Sequence, residues 1–284
     1  MRGSDDDSTQ DGTTHGGTHA TGNSPGGRPR FTAVAHRGDP YRHRENTLPS
    51  VRSALRAGAG AVEIDVRLTR DRVPVLLHDA TLERLWGAGR RLDAVTAEEL
   101  RDLTGGGVPT LREALALVTG ESDGNGNGDG DGVGDGVGVG VGGQHGSGQR
   151  LFIDLPDPAA AGAAVAEVHA CGARERVYYC GGTASMRAVR EADPAAETAL
   201  TWTTLVPPRA ALLERLAPRW LNYRFGLLSP ELVARHHAAG FLVSAWTADT
   251  RGTMRRLLAA GVDSITTNRI RTLCALRPAG PGRS

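Results

Sequence analysis

Short apolar runs alternate with longer amphipathic stretches from Phe31 to about Leu276. That rhythm belongs to an α/β chain built on a parallel sheet. Nine runs read as strands, beginning at Phe31, Ala61, Val73, Leu151, Val177, Thr198, Trp220, Leu242 and Ser264. Helical stretches separate them. Leu48–Ala57 places Leu48, Val51, Ala54 and Leu55 on one face and stops at Gly58 and Gly60. Thr96-Ala97-Glu98-Glu99 opens a short helix as a capping box, and Thr110 caps a helix over Thr110–Val118. Ala159–Ala170, Thr183–Glu191, Pro208–Leu216, Pro230–Ala239 and Thr250–Ala260 complete the set. The link 68–72 is too short for a helical crossover, so the second and third strands form either a hairpin or an irregular segment.

Three segments fall outside this rhythm. Residues 1–29 are polar and poor in bulky apolar side chains, so they are expected to be disordered, and 279–284 form a short tail. Residues 120–149 are nearly all Gly with Asp, Asn and Val, which reads as a flexible insert. Alternate aspartates there suggest calcium-binding repeats, but the regular nine-residue period is missing. The patterned part therefore spans 30–278 as one domain.

Candidate chemistry gathers between His36 and Asp79. His36-Arg37-Gly38, Glu45-Asn46-Thr47, Glu63-Ile64-Asp65 and His78-Asp79 each sit at or beside the end of an apolar run. Glu63 and Asp65 are two apart, so on a strand they share one side. One reading is an exposed edge with solvated carboxylates. Apolar Val62, Ile64 and Val66 argue instead for a buried strand, whose paired carboxylates need a cation; a divalent metal with hard oxygen ligands is the simplest one. Two histidines near it could supply acid and base, and an arginine could hold an anion.

These four clusters, in this order and spacing, resemble the glycerophosphodiester phosphodiesterases. The resemblance continues through Pro109-Thr110-Leu111-Arg112-Glu113, Trp246-Thr247 and Gly261-Val262-Asp263-Ser264-Ile265-Thr266-Thr267. It implies a single TIM-type (β/α)8 barrel that cleaves a phosphodiester such as glycerophosphocholine with Mg2+ or Ca2+. The implied ligands are Glu63, Asp65 and Asp154. His36 and His78 are the implied catalytic pair, with His78 as a metal ligand the other reading. Arg37 is expected to hold phosphate, Glu45 to orient it or His36 or to complete the metal's shell through water, and Trp246 to wall the alcohol group or simply to pack the barrel. In such a barrel the glycine-rich insert, lying between a helix and a strand, falls on the face away from the site.

Four departures from the family pattern bear on activity. Asp154 stands where Glu is usual and reaches about 1–1.5 Å less far. Pro156 replaces a lysine, Ala248-Asp249 follows Trp246-Thr247 where Asn is common, and Asn268 follows Thr267 where Asp is common. They keep open a weakened barrel that binds phosphodiesters without turnover. A third reading keeps the enzyme but assigns it lysophospholipids, cleaved in phospholipase D fashion. Asp157 is a weaker substitute ligand; His43 is read as incidental, and His236 and His237 as surface residues.

Composition narrows the partners. The formal charge of +1 over 284 residues gives no electrostatic footprint for nucleic acid. All fixed basic side chains are arginine, so no lysine can clamp phosphate. Three cysteines (Cys171, Cys180 and Cys274) form no disulfide framework and no zinc-like spacing. With no signal-like or membrane-length apolar stretch, the expectation is a cytoplasmic protein acting on a small-molecule glycerophosphodiester; the oligomeric state is not legible.

Overall fold

The computed structural model describes residues 31–120 and 148–276. The tails and all but the edges of the insert lie outside the described residues, and with them the expectations of disorder and of calcium repeats.

Eight parallel strands close a ring. They are β1 (Thr32–His36), β2 (Ala61–Leu68), β4 (Arg150–Asp154), β5 (Val177–Gly181), β6 (Thr198–Trp202), β7 (Trp220–Arg224), β8 (Leu242–Trp246) and β9 (Ser264–Thr267), and β9 pairs back onto β1. This is the TIM-type barrel that the sequence implied. The ninth strand, β3 (Pro74–Leu76), pairs antiparallel with β2 and stands outside the ring. The open question about 68–72 thus resolves as a hairpin, whose turn Thr69 and Arg72 close by backbone bonds.

Each helix follows from a local signal. Thr47 caps α1 (Leu48–Arg56), with Pro49 in the first turn. Thr96 with Glu99, and Thr110 with Glu113, form complete capping boxes for α3 (Ala97–Thr104) and α4 (Leu111–Thr119). Thr110 and Glu113 of the Pro109–Glu113 motif therefore serve the helix start. A short α2 (Glu83–Trp86) precedes α3, and this excursion packs Leu82, Leu92 and Leu100 on Val75 and Leu77 as a satellite core. The outer ring continues with α5 (Ala161–Ala170), α6 (Thr183–Ala192), α7 (Ala210–Leu216), α8 (Pro230–Ala238), α9 (Arg251–Ala260) and α10 (Ile270–Leu276).

Strand periodicity divides the core into two layers. Val62, Ile64 and Val66 of β2 pack outward in the main core shared with the helices. Inside the barrel, Phe152 and Tyr178 stack with ring centroids 4.2 Å apart, and Trp220 stacks on Tyr178 at 5.9 Å. These aromatics fill the barrel beneath the polar residues at the carboxyl ends of the strands.

The reading of His236 and His237 as surface residues is corrected. His236 is only 5 % exposed, stacks on Tyr223 and bonds its hydroxyl at 3.0 Å. It lies three residues after Val233, on the inward face of α8, so it belongs to the buried stripe despite its polarity. His237 bonds Asp263 at 2.7 Å.

The described residue Gln149, just before β4, lies at the amino-terminal end of the strands. There the Gln149 amide donates to the carbonyls of Leu55 and Ala59, both at 2.9 Å. Replacing 121–147 by a short Gly/Ser linker is expected to leave kcat and KM within about twofold of the full chain, because functional groups of such barrels cluster at the opposite face. Steady-state kinetics of the shortened protein check this; a tenfold loss would show that the segment reaches the site.

Candidate active site

The carboxyl ends of the strands gather the candidate residues. His36 ends β1, Glu63 and Asp65 lie on β2, and Asp154 ends β4, directly beside Asp65 in the strand register. His78 follows β3, and Trp246 ends β8. Together with Arg37 these residues line one cavity of about 240 Å3, with Phe152 and Cys180 among its other walls. Glu45 does not line the cavity; it grips Arg37 Nη1 at 3.0 Å and Arg84 Nη2 at 2.7 Å from behind. His43 is exposed, and Asp157 caps a short turn by accepting from the Ala159 amide, so neither joins the site.

The His36-Arg37-Gly38 turn is a device for aiming backbone and side chains together. Arg37 is left-handed at φ 55°, a costly conformation for a non-glycine residue, and its amide donates to Glu63 Oε2 at 3.0 Å. Gly38 follows at φ 94°, where a Cβ would lie 2.3 Å from Ser50 Oγ. The guanidinium of Arg37 lies 3.0 Å from Asp65 Oδ2. Asn46, also left-handed, clasps Asp65 twice: its amide nitrogen donates to Oδ2 at 2.7 Å, and its oxygen accepts the Asp65 N–H at 3.2 Å. Asn46 had no assigned role in the sequence, although it stands in the Glu45-Asn46-Thr47 cluster.

Glu63, Asp65 and Asp154 each offer an oxygen within 4.8 Å of the other two. Two oxygens at about 2.0–2.6 Å from one ion lie up to about 4–5 Å apart, so the shorter Asp154 still reaches a shared position. Charge points the same way. Burial, then repulsion from Asp65 and Asp154, pushes the Glu63 carboxyl well above the usual range. Burial and the Asp65 charge lift Asp154 to about 6. Three carboxylates facing the single guanidinium of Arg37 are under-neutralised, and the all-oxygen donor set suits a hard divalent cation. Burial also pushes the Cys180 thiol up, so it stays a donor, 3.3 Å from Asp154 Oδ1.

Each histidine is tied through Nδ1. His78 bonds Asp79 at 2.7 Å, and Arg84 fixes Asp79 from the far side. The hydrogen bond from Arg84, with that from His78, holds the Asp79 carboxyl down at about 2. His36 bonds Asn268 Oδ1 at 2.8 Å, and its Nε2 lies 3.9 Å from Glu63. Burial, then the Arg37 charge, lowers the His36 pKa and favours the neutral ring. Asn268 in turn donates to Asp249. Two of the departures thus meet, and the pair still presents one carboxylate and one amide. Three buried polar atoms of the cavity walls have no partner within the protein: Asn222 Oδ1, Trp246 Nε1 and Thr266 Oγ1. Buried polar atoms are normally satisfied, so these mark places where a polar ligand or water completes the site.

Comparison with known proteins gives the family and the fold. The model of the Glycerophosphoryl diester phosphodiesterase family matches residues 36–272. A Mycobacterium tuberculosis protein named "Probable glycerophosphodiester phosphodiesterase 2" is 31% identical over 84% of this chain and 87% of its own length. Glycerophosphodiester phosphodiesterase 1 of Bos taurus is 40% identical, over 31% of this chain; the match spans only 30% of that relative's length. In fold, the chain is similar to an Oleispira antarctica phosphodiesterase solved in complex with the product sn-glycerol-3-phosphate. The TM-score is 0.69 at 20% identity, over 87% of this chain and 96% of that one. With most of its barrel matched from His36 onward, the chain belongs to the glycerophosphoryl diester phosphodiesterase family.

Proposed function

We propose that this protein hydrolyses glycerophosphodiesters to sn-glycerol 3-phosphate and an alcohol, with a divalent cation, Mg2+ or Ca2+, held by Glu63, Asp65 and Asp154. The observation that carries the reading is the meeting, in one cavity, of a carboxylate triad, an arginine and two imidazoles tied through Nδ1. Bound there, the cation would neutralise the carboxylates and withdraw charge from the phosphoryl oxygens.

The side chains supply the rest. With Nδ1 occupied, each histidine has Nε2 for chemistry. One Nε2 takes the proton of the attacking glycerol hydroxyl as its oxygen bonds to phosphorus. The bond from phosphorus to the alcohol oxygen breaks, and the other imidazole, protonated, gives its proton to that oxygen. A water molecule then opens the resulting cyclic phosphate to sn-glycerol 3-phosphate. Arg37 holds a phosphoryl oxygen, kept in place by Glu45 behind it. Trp246 walls the alcohol side, where an aromatic ring suits a choline group. A cavity of about 240 Å3 has room for glycerol and phosphate and does not enclose a long acyl chain, which favours small glycerophosphodiesters over lysophospholipids.

The test is incubation of the purified protein with glycerophosphocholine. Equal amounts of glycerol 3-phosphate and choline are expected with Mg2+ or Ca2+. A ligand-induced thermal shift without product, under either cation, would make the protein a binding barrel. Asp154 and Pro156 would then be the positions to restore to Glu and Lys.

A further inference from the structure

We infer that Asp249 is a positioning residue for His36, acting through Asn268 to keep the neutral His36 proton on Nδ1. The inference rests on the phosphodiesterase reading for its kinetic consequence, but not for its structural content.

The chemistry of the contacts forces the assignment. The Asp249 carboxylate accepts three hydrogen bonds: from Thr267 Oγ1 at 3.0 Å, from the Asn268 backbone N–H at 2.8 Å and from Asn268 Nδ2 at 2.7 Å. A carboxylate accepts and does not donate, so the amide nitrogen of Asn268 must face it. The amide oxygen then faces His36, 2.8 Å from Nδ1. An oxygen acceptor there requires Nδ1 to carry hydrogen. In the neutral ring the lone pair is left on Nε2, the nitrogen on the side of Glu63. An Asn without an anchor can turn over and offer its NH2 instead. Nδ1 would then become the acceptor, the proton would move to Nε2, and the lone pair the reaction uses would be lost. Asp249 lies in the loop after β8 and Asn268 just after β9, so two strand ends lock the ring of a third.

The first test needs no turnover. In the full chain with 15N- and 13C-labelled histidine, at a pH where His36 is neutral, NMR is expected to show the Nδ1–H tautomer for His36 in the wild type. Asp249→Asn is expected to populate the Nε2–H form. A wild-type ring in the Nε2–H form overturns the inference, whether or not the protein hydrolyses phosphodiesters. The second test is rescue. Asp249→Asn should lower kcat about ten- to a hundredfold, the usual range for groups that orient a functional side chain, with KM little changed. Adding Asn268→Asp should bring kcat back to within about threefold, because a carboxylate at 268 accepts whichever way it turns. A folded double variant that stays as slow as the single one overturns the inference. So does an Asp249→Asn variant with wild-type kcat.

Discussion

Glu63→Gln is expected to end turnover and yet raise the melting temperature of the metal-free protein at pH 8. Glu63 is buried with Asp65 and Asp154, and burial followed by their charges lifts its pKa. Asp154 is lifted from 3.8 to about 6. An acid whose folded pKa lies above its unfolded value binds more protons in the folded state between the two. Through Asp154, stability of the metal-free protein therefore falls as pH rises from about 4 through about 6, and Glu63, raised in the same sense, adds to the fall as pH rises further. Gln is close in shape, accepts the Arg37 amide in the same way and carries no charge, so a rise of a few degrees is expected. A cation binds only the deprotonated ligands. Its stabilising shift should consequently be larger at pH 8 than at pH 5 in the wild type, and mostly absent in the variant. Activity should fall about 1000-fold or more, equivalent to about 4 kcal/mol of transition-state stabilisation. Thermal melts at both pH values, with and without Mg2+ or Ca2+, check the stability half. A fall in metal-free melting temperature would contradict the electrostatic account of the cluster.

His36→Ala and His78→Ala are expected to lower kcat by about 100- to 10000-fold each, the range for loss of a general acid or base. Neither should remove the cation-induced thermal shift, because the three carboxylates remain. That separates the imidazoles from the metal ligands, and in particular tests the alternative in which His78 is a ligand. A glycerophosphodiester with a nitrophenol leaving group distinguishes the two roles. Nitrophenolate departs without protonation, so the variant lacking the acid recovers rate on it and the variant lacking the base does not. If both variants kept wild-type rates on glycerophosphocholine, the imidazoles would have no part in proton transfer.

Much of this architecture is visible in the chain because barrel strands are short apolar runs and their functional residues interrupt them. Glu63 and Asp65 stood out since Val62, Ile64 and Val66 left them no solvent-facing role, and all nine strand starts lie within a residue of those expected. The extra run was β3, whose antiparallel place depends on a turn geometry that composition does not reveal. The four-residue α2 shows no side-chain cap and was missed. The linkage of His36 to Asn268 spans 232 positions, and only the closure of β9 onto β1 brings the two together. For the same reason Asp249 and Asn268 read as two separate losses in the sequence, while in the fold they are one hydrogen-bonded pair. Asn46 was hidden differently: its role depends on a left-handed backbone that turns both ends of its amide onto Asp65.

The most direct test of the central claim is the rate of glycerol 3-phosphate release from glycerophosphocholine by EDTA-stripped protein, titrated with Mg2+ and with Ca2+, beside Glu63→Gln. The account predicts a saturable rise in the wild type with at least one of the two cations, and a flat line at background in the variant. A wild-type rate that is undiminished in EDTA, or a folded variant that follows the wild-type curve, would contradict it.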